Sequence, residues 1–137
     1  MFAALPLLAL PVIAYTLIAV IVGAQDGMTI KLFTIHMPTG ADWGVALGDL
    51  LLAASLVVLF IELLKSTASR RIAIINHSLS VTLFIVCLIE FLLAPGFATS
   101  TFFLITLMVL LDMLAGFLVT IVSARRDVDD DGTRSRL

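Results

Sequence analysis

Little of this chain is polar and less of it is reactive. Charged residues make up 13% of the sequence and hydrophobic ones 61%, with a mean hydropathy of +1.20. So few polar side chains cannot clothe a water-soluble globule of 137 residues. There is one cysteine, Cys87, which excludes an intramolecular disulfide; its neighbours Ile85, Val86, Leu88 and Ile89 mark it as an inert apolar thiol. No basic patch is present to hold a nucleic acid. A Glu-x-x-His pair, a His-Glu-x-x-His zinc motif and a Gly-rich phosphate loop are all missing, and no nucleophile stands beside a base at a telling spacing. Catalytic residues, cofactors and metal ligands are therefore expected to be absent, and the chain is not expected to be an enzyme.

What the chain has is four long apolar runs, 2–22, 43–64, 72–93 and 101–122. Each is about 20 residues, or about 30 Å of helix at 1.5 Å per residue, the thickness of a bilayer's hydrocarbon core. The strands of a β-barrel are about half that length and alternate strictly. The expected fold is thus all-α: a polytopic membrane protein with four transmembrane helices in an antiparallel bundle. One transmembrane domain covers 1–124, with an outer loop at 24–42 and a disordered cytoplasmic tail at 125–137.

Orientation follows from the basic residues. Lys65, Arg70 and Arg71 sit between the second and third runs, Arg125 and Arg126 follow the fourth, and the other links carry only Lys31. The positive-inside rule places both termini in the cytoplasm. The stretch "VGAQD" has Val22 and Ala24 at the spacing of a signal-peptidase site. The first run lacks a basic n-region and exceeds the usual length of a signal core, so its retention is expected.

The 24–42 link contains "TIKLFTIHM", loosely alternating and rich in β-branched residues, which suits a short strand pair or an interfacial segment. Pro38, Thr39 and Gly40 mark a turn, Asp42 is placed to cap the second helix, and Trp43 stands where an interfacial aromatic belongs. Ser69 and Ser100 are candidate N-caps, and Pro95-Gly96 ends the third helix. Gly44-xxx-Gly48 fits a close-approach motif. In the tail, "DVDDDG" imitates the start of a calcium loop, but the chain ends before the glutamate at position 12 that such a loop needs.

Function, if any is legible, lies with the polar residues of the apolar runs, since intramembrane ionisable groups are costly and face protein or water. The candidates are Asp112, His77, Glu90, Asp49, Asn76 and Ser80. Glu62 is one turn from the cytoplasmic end and three residues from Lys65, which suggests a snorkelling, hydrated pair. Asp112 is about 16 Å deep, near the midplane. Its cost on insertion, about 2.5–3.5 kcal/mol, is outweighed by the surrounding Leu, Ile, Phe and Val, provided it faces inward. Helical phasing groups Asp112 with Thr101, Ile105, Met108, Gly116 and Val119, and groups Asn76 with Ser80, Leu83, Cys87, Glu90 and Ala94. These two stripes are expected to meet, with Asp112 bonded around Ser80, Leu83 or Cys87. In the second run Gly48, Ser55 and Glu62 form a heptad-spaced seam.

Residues 39–93 carry "GD" opening the second helix, "ELLK" ending it and "NHSLS" opening the third. In these features the chain resembles a group of short four-span proteobacterial inner-membrane proteins with no known activity. The resemblance implies an inner-membrane location and nothing catalytic. In size and span count the chain is also similar to small multidrug transporters, which carry an essential glutamate in their first helix; here the first run has no acid. Two functions are compatible with these residues. One is an accessory or assembly subunit, or a homo-oligomer, whose partners are the lipid bilayer and other membrane helices or its own copies. The other is a proton-coupled small-solute transporter or proton conductor using Asp112 with His77 and Glu90.

Overall fold

The computed structural model describes residues 6–66 and 70–134, with side chains placed for 6–65 and 75–122. The expected start of the first helix at Phe2 and the Ser69 cap fall outside the described residues. The protein is mostly helical, with one small hairpin. In order along the chain come α1 (Ala9–Ile21), α2 (Ala24–Thr29), β1 (Lys31–His36), β2 (Asp42–Ala46), α3 (Leu47–Ser66) and α4 (Arg70–Leu93). A 3₁₀ turn (Pro95–Phe97) then leads into α5 (Ser100–Arg134).

Among the described residues three helices hold segments long and apolar enough to cross a membrane: Leu47–Lys65, Ile75–Leu93 and Ser100–Val122. The apolar helix α1 is shorter, 13 residues, or about 20 Å. The second span begins four residues later than the hydropathy suggests, because Asp42–Ala46 pairs with β1 rather than joining the helix. Asp42 accordingly does not cap α3; it bonds His36 across the hairpin. Gly44 lies in β2, so the Gly44-xxx-Gly48 spacing is not a helical one. Thr99, not Ser100, caps α5, its Oγ1 accepting the Phe102 N–H at 3.2 Å. The tail also differs from expectation, for α5 runs on to Arg134. Extending an existing helix avoids the cost of nucleating one, and a helical backbone there is incompatible with the loop that calcium would need.

The hairpin turn is built as "MPTG" requires. Gly40 N–H donates to Met37 O at 2.9 Å, Pro38 supplies its fixed φ, and Gly40 takes φ +83°, which other residues rarely adopt. At the other end, Leu47 N–H donates to Ile30 O at 2.9 Å and ties the base of the hairpin to the first residue of α3.

Helix α5 packs against both α3 and α4, and α1 lies against α3 and α5. The core between them is Leu8, Val12, Tyr15, Leu59, Cys87, Phe102, Ile105 and Val109. Outward faces carry large exposed apolar side chains such as Leu17, Val57, Phe60, Ile89 and Leu118. A surface of this kind suits lipid rather than water.

Candidate functional site

Helices α4 and α5 are joined by a short link and pair antiparallel. His77 meets Gly116, Ser80 meets Asp112 and Phe91 meets Phe103, so along the pair one residue number rises as the other falls. This register brings the two polar stripes together. On α4 the buried face holds Asn76, Ser80 and Cys87; on α5 it holds Phe102, Ile105, Val109, Asp112 and Gly116.

At the centre, Ser80 Oγ and Asp112 Oδ2 lie 2.5 Å apart. Asp112 is 4% exposed and Ser80 1%, so this carboxyl is enclosed by protein. His77 closes on the backbone at Gly116, with its ring 6.3 Å from that of Phe117. It also lines a surface groove of 330 Å³ otherwise made of Val81, Met113, Leu114 and Phe117. Asn76 Oδ1 and His77 Nδ1 are buried without a hydrogen-bond partner.

Glu62 departs from its expected role. Its side chain is wholly buried; Oε2 accepts the backbone N–H of Leu7 at 2.5 Å and Oε1 accepts from Lys65 Nζ at 3.3 Å. The i+3 spacing to Lys65 suggests a hydrated surface pair, but the lysine reaches inward to an acid that anchors the start of α1. The heptad seam is the better guide, since Gly48, Ser55 and Glu62 are all buried.

Two other acids stand apart from Asp112. Asp49 is exposed and accepts the Ala46 N–H at 2.9 Å, closing the first turn of α3 in the manner of a capping-box acid. Glu90 shares the stripe of Ser80 but sits ten residues away, about 15 Å along the helix, with one oxygen, Oε2, buried and unpartnered. His77, by contrast, packs on Gly116, one turn along α5 from Asp112.

Tyr15 carries no signal in the sequence, since α1 has no acid to draw attention to it. Its hydroxyl lies 2.5 Å from Thr99 Oγ1 and donates to Gly96 O at 3.3 Å, while its ring packs 4.8 Å from Phe102 and 5.6 Å from Phe97. Other hydroxyls turn back on their own helices: Ser55 to Leu51 O, Thr106 to Phe102 O and Thr120 to Gly116 O. Such bonds use the hydroxyl proton locally, within the helix. Among the described residues no three of His, Cys, Asp and Glu gather as metal ligands would. What the arrangement can do is join helices through a hydroxyl–carboxyl bond and hold an amide and an imidazole beside it. No family model matches the chain, and neither a curated protein nor a solved structure matches it.

Proposed function

We propose that this is a small, non-enzymatic integral protein of the bacterial inner membrane, serving as an accessory or assembly subunit or as a homo-oligomer. In this reading all four apolar segments cross the bilayer, with both termini cytoplasmic. Two contacts support the fourth crossing. Leu7, two residues before α1, bonds Glu62 near the end of α3, and Tyr15 bonds Thr99 at the start of α5. Helix α1 thus runs beside α3 and against its direction. The Lys and Arg content of the 65–71 link and of 125–126 supports the orientation.

The observation that carries the reading is the enclosure of Asp112. A carboxyl that is 4% exposed and joined to Ser80 holds α4 to α5; it does not face a path along which a solute could pass. With three long helices and a short one clad in exposed apolar side chains, the remaining surface is suited to lipid and to other helices.

One observation favours the second reading, proton conduction: Asn76 and His77, about one turn from Ser80 on α4, keep buried unpartnered atoms beside the Ser80–Asp112 bond. A single experiment separates the two. The purified protein is sealed into vesicles carrying an internal pH dye, and an outward proton gradient is imposed. An accessory subunit leaves the leak at the level of protein-free vesicles. A leak abolished by Asp112→Asn in a protein that stays folded would establish conduction instead.

A further inference from the structure

The pairing register of the hairpin sorts its side chains into two unlike faces. Residues opposite one another share a face, so the pairs Phe33–Val45 and Ile35–Trp43 make one side, and Thr34–Gly44 and His36–Asp42 make the other. The irregularity between Lys31 and Phe33 matters here. With regular alternation Lys31 would share the face of Phe33 and Ile35. The extra residue, Leu32, moves it to the opposite side, where its methylenes cover Gly44 at 3.6 Å from the site of a Cβ. One face is thus wholly apolar and the other carries Lys31, Thr34 and the bonded His36–Asp42 pair.

Val45 on the apolar face is buried, but Phe33, Ile35 and Trp43 beyond it are 51%, 39% and 48% exposed. An isolated two-stranded hairpin is marginal in water, and one with such a face even less secure. Its base is fixed to the first residue of α3, whose exposed apolar side chains begin at Leu50, after the exposed Asp49. The apolar face therefore lies within a few residues of the exposed apolar side chains of α3.

We infer that the β1–β2 hairpin lies along the membrane surface with Phe33, Ile35 and Trp43 dipped into the outer lipid leaflet and Lys31, Thr34, His36 and Asp42 turned to water. The inference rests on the membrane reading above. Length argues for the recumbent pose. Trp43 is four strand residues from Leu47, about 13 Å, whereas the headgroup layer beyond the hydrocarbon is only about 5–8 Å deep on each side. A hairpin standing upright would carry its tryptophan past the headgroups, and one lying flat places it at the boundary where that side chain is favoured.

Trp43 is the only tryptophan of the chain, so its fluorescence reports this position alone. The test uses the full-length protein in phosphatidylcholine–phosphatidylglycerol vesicles, with lipids brominated at a series of acyl depths and with acrylamide in the water. The expected result is a blue-shifted emission, strongest quenching by bromine high on the acyl chain, and acrylamide quenching several-fold weaker than for a free tryptophan. These should hold when the lipid-to-protein ratio is raised tenfold. Full acrylamide quenching without bromolipid quenching would overturn the inference in favour of an upright hairpin. Protection from acrylamide without bromolipid quenching would overturn it in favour of pairing with another chain. Retention of the protein in the vesicle pellet after alkaline carbonate is scored in the same samples, so failure of the membrane reading is seen separately from failure of the hairpin pose. Phe33→Ser with Ile35→Ser should raise acrylamide quenching at least twofold, but the depth profile of the unaltered protein decides the pose.

Discussion

The Leu7 backbone N–H ends on the Glu62 carboxylate, which stands 55 positions later in the chain and is simultaneously held by Lys65. This joint fixes the beginning of α1 on α3 and makes Glu62 structural. Replacing it with glutamine keeps a carbonyl to accept from Leu7, so Glu62→Gln should lower stability by only about 0.5–1 kcal/mol. Glu62→Leu leaves a main-chain donor unpaired away from water and should cost about 1–3 kcal/mol. Unfolding in mixed detergent micelles, followed by circular dichroism, gives the order. Equal losses for the two variants would mean that the charge, not the bond to Leu7, holds the joint.

The Ser80–Asp112 bond makes a second expectation. Asp112→Asn retains a polar group within reach of the hydroxyl and should fold and assemble, whereas Asp112→Leu and Ser80→Ala should each lose the interhelical bond. A double-mutant cycle on these two truncations is expected to give a coupling of about 0.6–1.7 kcal/mol. A coupling indistinguishable from zero would show that the two residues are neighbours without mutual dependence.

How much of this could be seen beforehand depends on which interaction decided each feature. Three of the four expected spans follow from the length of the apolar runs, the "MPTG" turn from its residue types, and the meeting of Asp112 with the α4 stripe from helical periodicity, all written in the sequence. Glu62 and Asp49 were legible only halfway. Glu62 lies on a heptad-spaced seam but was expected to be hydrated, and its decisive partner is a backbone N–H, which no residue type announces. Asp49 looks intramembrane if α3 begins at Trp43 and becomes a first-turn cap when it begins at Leu47; four residues of strand pairing change the meaning of the same acid. Tyr15 was invisible for a similar reason, since both its partners lie in the link before α5.

Tyr15→Phe isolates the polar part of that contact. The ring still packs on Phe97 and Phe102, and only the hydroxyl's bonds to Thr99 and Gly96 are lost. The expected loss is about 0.6–2 kcal/mol. Tyr15→Ala removes the aromatic contacts as well and should cost about 3–5 kcal/mol. Phenylalanine and alanine variants of equal stability would show that the rings contribute nothing there.

Gly116 offers the sharpest steric test. A Cβ built on it would stand 2.8 Å from His77 Nδ1, 3.2 Å from His77 Cβ and 3.3 Å from Cγ. Two of those atoms are the root of the histidine side chain, so a rotamer change alone cannot clear them, and α4 must move away from α5. Gly116→Ala is accordingly expected to destabilise by about 1–3 kcal/mol despite alanine's better helix propensity, which would by itself stabilise by about 1 kcal/mol. Combining it with His77→Ala removes Nδ1 and Cγ from the clash and leaves only the Cβ contact. The double variant should therefore be more stable than the sum of the two single changes implies, by about 1 kcal/mol or more. Thermal unfolding of the four proteins in one detergent measures this. Simple additivity would mean that His77 and Gly116 do not touch, and would remove the register on which the Ser80–Asp112 pairing depends.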